Sequence, residues 1–494
     1  MKISILSWIN VLPDNFLISF RLKIVLLTSI ISLSLFSIIS CSSSSLSFST
    51  FTPSPSKSST ATAQVAKTAL WEGNTATIWE KLQNYSTAKL SAMLNTTSDV
   101  DQQAWIELAI ISKRNSNHTA ALAQELLSWR TRNPSHPANQ LLPSDGTLHQ
   151  LATALPPQQI AILLPLQGDY TASGQLVREG FLNAYYANLA KVGKQNVSFY
   201  DTAQGKDVAT LYQQAMTDGA DFVVGPLIKS DVQQLSRAGG FSTPVLALNY
   251  TDIFFGSLPK NFYEFGLLPE DEAQQVAERA RETGLSNAII IAPESPWGKR
   301  LTASFSSRWH TLGGRVQDSF YYSAHSDFNK EIAHLLQINL DNDKKLTQEG
   351  NNKDILEQQR RHDFDVIILF AQPKEARVIV PLLRYYYVNN VPVYATSAVY
   401  SGKPNPIKDV DLNGVTICDT PWSIQIARHK ISDNQSDRLY AVGLDAYLLS
   451  QSLNRLMQLP NFPIYGTTGA LTLASTHQIH RRLPCKTIQN GTMV

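Results

Sequence analysis

Ile160-Ala161-Ile162-Leu163-Leu164-Pro165-Leu166 is an uninterrupted apolar run. A strand with one wet face alternates polar and apolar residues, whereas a run without alternation fits a strand covered on both faces, as in a parallel sheet between helices. Residues 171–190 then read as a helix with Leu176, Val177, Phe181, Leu182 and Tyr185 on one face. Further along, strands are expected at residues 197–200, 222–224, 245–248, 288–291, 366–370 and 391–394. Helices are expected near 208–217, 232–238, 270–283, 297–312, 329–338 and 374–386. This alternation predicts a doubly wound α/β architecture, and two such sheets in series predict a bilobed domain over residues 158–494. The very polar stretch 341–362 reads as an exposed insertion, 438–459 as a late amphipathic helix and 470–474 as a final strand.

Upstream of residue 158 the period is helical. Trp71, Ile78, Trp79 and Leu82 are followed by Leu90, Met93 and Leu94, by Trp105, Leu108, Ala109 and Ile111, and by Leu122, Leu126, Leu127 and Trp129. Short amphipathic helices joined by polar turns predict an all-α region at 64–133 built of antiparallel pairs, tetratricopeptide-like in character but without a strict repeat. Asn133-Pro134-Ser135-His136-Pro137 stops the last helix. The polar, Pro-containing segment 134–157 reads as a linker with room for one short helix, so proteolysis is expected to release a fragment beginning near residue 158.

The N-terminus reads as an address. Arg21 and Lys23 precede an uncharged stretch, 24–39, that ends in Ile38-Ile39-Ser40-Cys41. The stretch is short for a membrane span, which needs about 20 residues, and suits the apolar core of a signal peptide. An aliphatic residue, a spacer, a small residue and Cys form a lipoprotein cleavage pattern, so residues 1–40 are expected to be removed and the Cys41 thiol to carry a diacylglycerol. Ser42 after the cysteine points to the outer membrane. Residues 41–63 are rich in Ser, Thr and Pro and read as a flexible tether. The 494-residue chain has 42 basic and 40 acidic residues, and 43% of it is hydrophobic. That supports a folded multidomain protein and gives no support to nucleic-acid binding.

Catalytic signatures are missing. There is no phosphate loop, dinucleotide fingerprint, HExxH or GxSxG. Ser54-Pro55-Ser56-Lys57 fits SxxK but falls in the tether, where nothing would hold it beside an oxyanion hole. His477 and His480 lack a carboxylate or Cys cluster in the sequence beside them and read as exposed side chains. Asp363 and Asp365 read as solvating a turn. No catalytic residue, metal site or cofactor is expected. What remains is binding beyond the carboxyl ends of the strands, where Ser173, Gly174, Gly225, Asn249, Tyr250 and Trp297 could line a cleft. Each reads more simply as an ordinary turn residue.

Several runs are similar to one family. They are Trp129-Arg130-Thr131-Arg132-Asn133-Pro134-Ser135-His136-Pro137-Ala138, Leu141-Leu142-Pro143, residues 160–174 and Arg178-Glu179-Gly180-Phe181. The most specific is Asp218-Gly219-Ala220-Asp221-Phe222-Val223-Val224-Gly225-Pro226-Leu227; Leu444-Asp445-Ala446-Tyr447, Gly466-Thr467-Thr468-Gly469 and Arg481-Arg482-Leu483-Pro484 also fit. Together they resemble the LpoA (LppC) outer-membrane lipoproteins, activators of class A penicillin-binding proteins. The resemblance implies a helical tetratricopeptide-like domain joined to a type I periplasmic-binding-protein-like domain. It also implies a non-enzymatic regulator, lipid-anchored in the outer membrane and facing the periplasm, that stimulates crosslinking by a peptidoglycan synthase. The helical region here is shorter than in the best-known members, and Cys485 and Ile488 stand where the family has an aromatic pair. In the oxidising periplasm Cys485 could pair with Cys418; the alternative is two unpaired buried thiols. Fold alone also permits a membrane-tethered solute-binding protein for a small molecule such as an amino acid, and, less naturally, a murein hydrolase. Lys229 stands near the position where amino-acid binders need small hydroxyl residues, which favours the regulator.

Overall fold

The computed structural model describes residues 70–251, 258–339, 360–386, 388, 390–429 and 437–494. The expected signal peptide, Cys41 and the expected tether lie outside these residues, as does most of the expected insertion at 341–362.

The helical region contains α1 (Thr75–Gln83), α2 (Thr87–Leu94), α3 (Val100–Arg114), α4 (Thr119–Arg132) and α5 (Asp145–Thr153). Asn74, Ser86, Asp99 and Ser144 each cap a helix by accepting a backbone N–H of its first turn, which satisfies a donor the helix leaves open. Trp79, Trp105, Leu108, Leu122, Leu126 and Trp129 build the core. Residues 134–157 hold the one short helix expected of them, α5, but much of the segment packs into the helical core instead of running free as a linker. Pro137 opens a 3-10 turn (Pro137–Leu141) rather than ending structure, and Ala138, Leu142, Leu148 and Leu151 are buried in the same core. His136 packs edge-on against Trp105 and Trp129, at 5.1 and 5.3 Å between centroids, and its Nδ1 accepts Ala138 N–H at 3.1 Å. Leu459 and Phe462, from the far end of the chain, complete this core. Exposed residues remain at Pro134 and Ser135 and at 153–155, where Leu155 is 89% exposed, so a cut just before residue 158 stays open to test.

The first α/β lobe has β1 (Gln159–Leu164), α6 (Thr171–Val192), β2 (Asn196–Asp201), α7 (Val208–Thr217), β3 (Phe222–Val224), α8 (Lys229–Ala238), β4 (Val245–Ala247) and β5 (Phe262–Glu264). Its strands run parallel in the order β2-β1-β3-β4-β5. The second lobe has α9 (Pro269–Glu282), β6 (Asn287–Pro293), α10 (Pro296–Thr311), β7 (Arg315–Tyr322), α11 (Phe328–Leu335), β8 (Val366–Leu369), α12 (Pro373–Tyr385), β9 (Val393–Thr396), α13 (Pro406–Asp409), β10 (Val415–Cys418) and α14 (Pro421–His429). Then α15 (Arg438–Gln458) returns to pack on α6, with Phe181 edge-on to Tyr447 at 5.4 Å. A three-stranded antiparallel sheet follows, β11 (Ile464–Tyr465), β12 (Ala470–Leu473) and β13 (Ile479–Arg482), and its apolar face joins the first-lobe core. The chain ends as β14 (Cys485–Gln489) and β15 (Thr492–Met493), which add to the second sheet in the order β15-β14-β10-β9-β8-β6-β7. The two-lobed expectation is met.

Asp365 does more than solvate a turn. Its carboxylate accepts Ser286 N–H and Asn287 N–H (2.8–3.0 Å), tying β6 to β8. Asp221 does the same for β1, accepting Gln158 N–H at 2.7 Å and Gln159 N–H at 2.9 Å. Asp363 instead pairs with Arg361 at 2.7 Å, which holds its carboxyl below the usual range. Among the described residues no helix is long and apolar enough to cross a membrane.

Candidate functional site

Gly225, Asn249 and Tyr250 follow first-sheet strands, Ser173 and Gly174 lie in the first turn of α6 after β1, and Trp297 lies in the first turn of α10 after the second-sheet strand β6. Their surroundings differ from those of cleft-lining residues. A Cβ on Gly174 would lie 2.0 Å from Pro165 O, and one on Gly225 would lie 2.1 Å from Leu163 O. These glycines therefore let one backbone segment sit on another, and neither keeps space for a ligand. Gly225 also has φ +100°, a conformation that other residues rarely adopt. Asn249 is committed on both amide atoms, donating to Leu227 O at 3.1 Å and accepting Tyr250 N–H at 2.9 Å. Tyr250 is only 5% exposed and its hydroxyl donates to Ile479 O of β13 at 2.7 Å; burial pushes its pKa up. Ser173 and Trp297 remain half-exposed, Trp297 against the second-lobe core.

The chemistry where the lobes join is a polar network that sequence reading did not bring together. Glu272 of α9 accepts Ser397 N–H at 3.2 Å and Ser397 Oγ–H at 2.7 Å, and pairs with Arg481 of β13 at 3.4 Å. Its neighbour Asp271 pairs with His480 at 2.8 Å, a hydrogen bond that raises the imidazole pKa. Glu264 accepts Thr251 N–H at 2.8 Å and Gln478 Nε2–H at 2.9 Å. Arg438, first residue of α15, donates to both oxygens of Asp419 (2.9 and 2.6 Å) and to the carbonyls of Ser397 and Tyr400. Burial opposes the Arg438 charge, but Asp419 outweighs it and the pKa is raised. Asp445, fully buried in α15, accepts the N–H and hydroxyl of both Thr467 and Thr468 at 2.6–2.8 Å, so Leu444-Asp445-Ala446-Tyr447 and Gly466-Thr467-Thr468-Gly469 are two halves of one clamp. Arg481 extends it by donating to Thr468 O at 3.3 Å.

The network is an arrangement of paired and capped groups. Among the described residues no hydroxyl or thiol bonds the imidazole of the His480–Asp271 pair, and no group of three or more His, Cys, Asp or Glu could hold a metal. Cys418 and Cys485 lie opposite each other on β10 and β14 and form a disulfide. One signal in the sequence was Asp445, a charge between apolar Leu444 and Ala446 in a helix; Asp271, Glu272 and Arg481 stand among other charged or polar residues and gave no such signal.

A family model described as "LppC putative lipoprotein" matches residues 56–491. The chain belongs to the LppC lipoprotein family. Relatives include the penicillin-binding protein activator LpoA of Photobacterium profundum, 26% identical over 430 residues that cover 84% of this chain and 69% of that protein. The LpoA of Vibrio antiquarius is 26% identical over 438 residues, covering 85% and 72%. Among solved structures, full-length LpoA of Haemophilus influenzae aligns with a TM-score of 0.55 at 25% identity, over 84% of this chain and 73% of that one. The C-domain of the same protein, described as a regulator of PBP1A, aligns at 0.54 and 25% identity, over 68% of this chain and 99% of that domain. A "putative branched-chain amino acid ABC transporter" of Chromobacterium violaceum, at 24% identity and 0.51, shares the fold. The LppC lobes thus have a periplasmic-binding-protein-like architecture.

Proposed function

We propose that this chain binds a class A penicillin-binding protein and stimulates its crosslinking of peptidoglycan. It would act from the periplasmic face of the outer membrane, anchored by acyl chains on Cys41, with no catalysis of its own. The observation that carries this reading is the extent of the family match, which runs through the helical region and both lobes. The strand ends support it too, because Gly174, Gly225, Asn249 and Tyr250 are spent on the chain's own backbone where a solute-binding protein would hold its ligand. An activator needs only to bind the active conformation of its partner better than the inactive one, and about 1.4 kcal/mol of preference shifts that equilibrium tenfold.

The test is a crosslinking assay with residues 42–494 and a detergent-solubilised class A synthase. More crosslinked muropeptide, with isolated murein left uncut, is expected. No stimulation together with tight binding of a free amino acid would replace the regulator by a solute-binding protein. Cys41→Ser is expected to abolish incorporation of labelled palmitate; retained label would refute the anchor.

A further inference from the structure

The outer edge of the first sheet presents an open ladder beside a groove. Among the described residues β2 is the terminal strand, paired only with β1. Asn196 N–H donates to Gln158 O at 2.8 Å and Thr202 N–H to Leu164 O at 3.0 Å. Even-numbered residues therefore turn inward, and Val197 and Phe199 turn their backbone N–H and C=O away from the sheet. β2 is six residues long, with neither Lys, Pro nor a register shift, the usual guards of an exposed edge.

A groove of about 610 Å³ runs between this edge and α6. Leu182, Tyr186, Val197 and Phe199 line it, and Tyr186 is 64% exposed. The Arg178 guanidinium lies 4.8 Å from the Phe199 ring centre. Arg178 and Lys194 bring positive charge, and among the described residues no carboxylate lines the groove. Open main-chain donors and acceptors, an apolar wall and unopposed cations meet at one place.

We propose that the β2 edge docks an extended, acidic segment of a protein partner, which adds to the first sheet as an outer strand. Its main chain bonds Val197 and Phe199, and its carboxylate meets Arg178 or Lys194. In this mode the ladder supplies affinity and the adjoining side chains supply specificity. The inference rests on the proposed function only in taking the synthase as that partner.

The test compares residues 42–494 with two variants for binding to an immobilised, detergent-solubilised class A synthase. Val197→Pro removes an outward donor and leaves the β1 ladder intact. Arg178→Glu with Lys194→Glu reverses the groove's charge, and decides the matter if Val197→Pro does not fold. Each variant is expected to weaken binding at least about tenfold with the melting temperature retained, and wild-type binding is expected to fall with added salt. Folded variants that bind as tightly as wild type overturn the docking site and leave the regulator standing. Failure of the wild type to bind overturns both.

Discussion

The helical region meets the first lobe through apolar surface, whereas the two lobes meet through charge. At the first seam Leu459 and Phe462 enter the helical core, with Trp79 4.9 Å from the Phe462 ring. Polar groups add to the contact without an ion pair among the described residues: Trp79 Nε1–H donates to Asn461 O at 2.6 Å, the fully buried Arg455 donates to the carbonyls of Ser116, Phe462 and Pro463, and Lys113 donates to Tyr465 OH at 2.7 Å. Burial, then the charge of Arg482, lowers the Lys113 pKa to about 8. At the second seam Glu272, Arg481, Asp271, His480, Arg438 and Asp419 carry the join. An apolar seam is held by area, so it cannot open without wetting its core. A polar seam is held by direction, and its cost appears when one partner is removed. The helical region is thus a fixed part of the body, while the lobes are set in register by specific bonds.

The largest expected effect tests the apolar seam. Phe462→Ala, at a fully buried site, should cost about 3–5 kcal/mol, read as a lower urea midpoint. Helical and α/β signals should melt together in the wild type; separate transitions would break the comparison. Next, Arg481→Met strands the buried Glu272 carboxylate and should cost about 3 kcal/mol, whereas Arg481→Met with Glu272→Gln should recover most of that loss. A double variant no better than the single would show that the pair is not the cause.

The disulfide closes a separation of 67 residues. Replacing Cys418 and Cys485 by Ala should cost about 2–4 kcal/mol, and an unreduced digest should yield one cross-linked peptide by mass spectrometry. The smallest effect belongs to His480. Its pKa is raised by the hydrogen bond to Asp271, so its protonated form contributes stability below the unfolded value of about 6.5, and this is lost as pH rises through the folded pKa. The side chain is 42% exposed, so only about 0.5 kcal/mol is expected after solvent screening. His480→Gln should lower the urea midpoint near pH 5 and leave it unchanged near pH 8. An equal loss at both would assign His480 a packing role only.

The sequence by itself determined the element types wherever burial is local in its effect. Apolar runs such as Ile160–Leu164 and Val366–Leu369 are covered on both faces, and that is visible in composition alone. It missed β5, β7, β10, β11 and β13 to β15, which are short, lie at sheet edges or alternate polar with apolar residues. Leu148 and Leu151 had helical spacing, yet only the fold could show that they reach the core shared with Phe462. The site was the least legible. Asp445 meets Thr467 and Thr468 across 22 and 23 residues, and Glu272 meets Arg481 across 209. Local periodicity reports which face is dry; which charge answers another depends on chain crossings, and those only the tertiary structure decided.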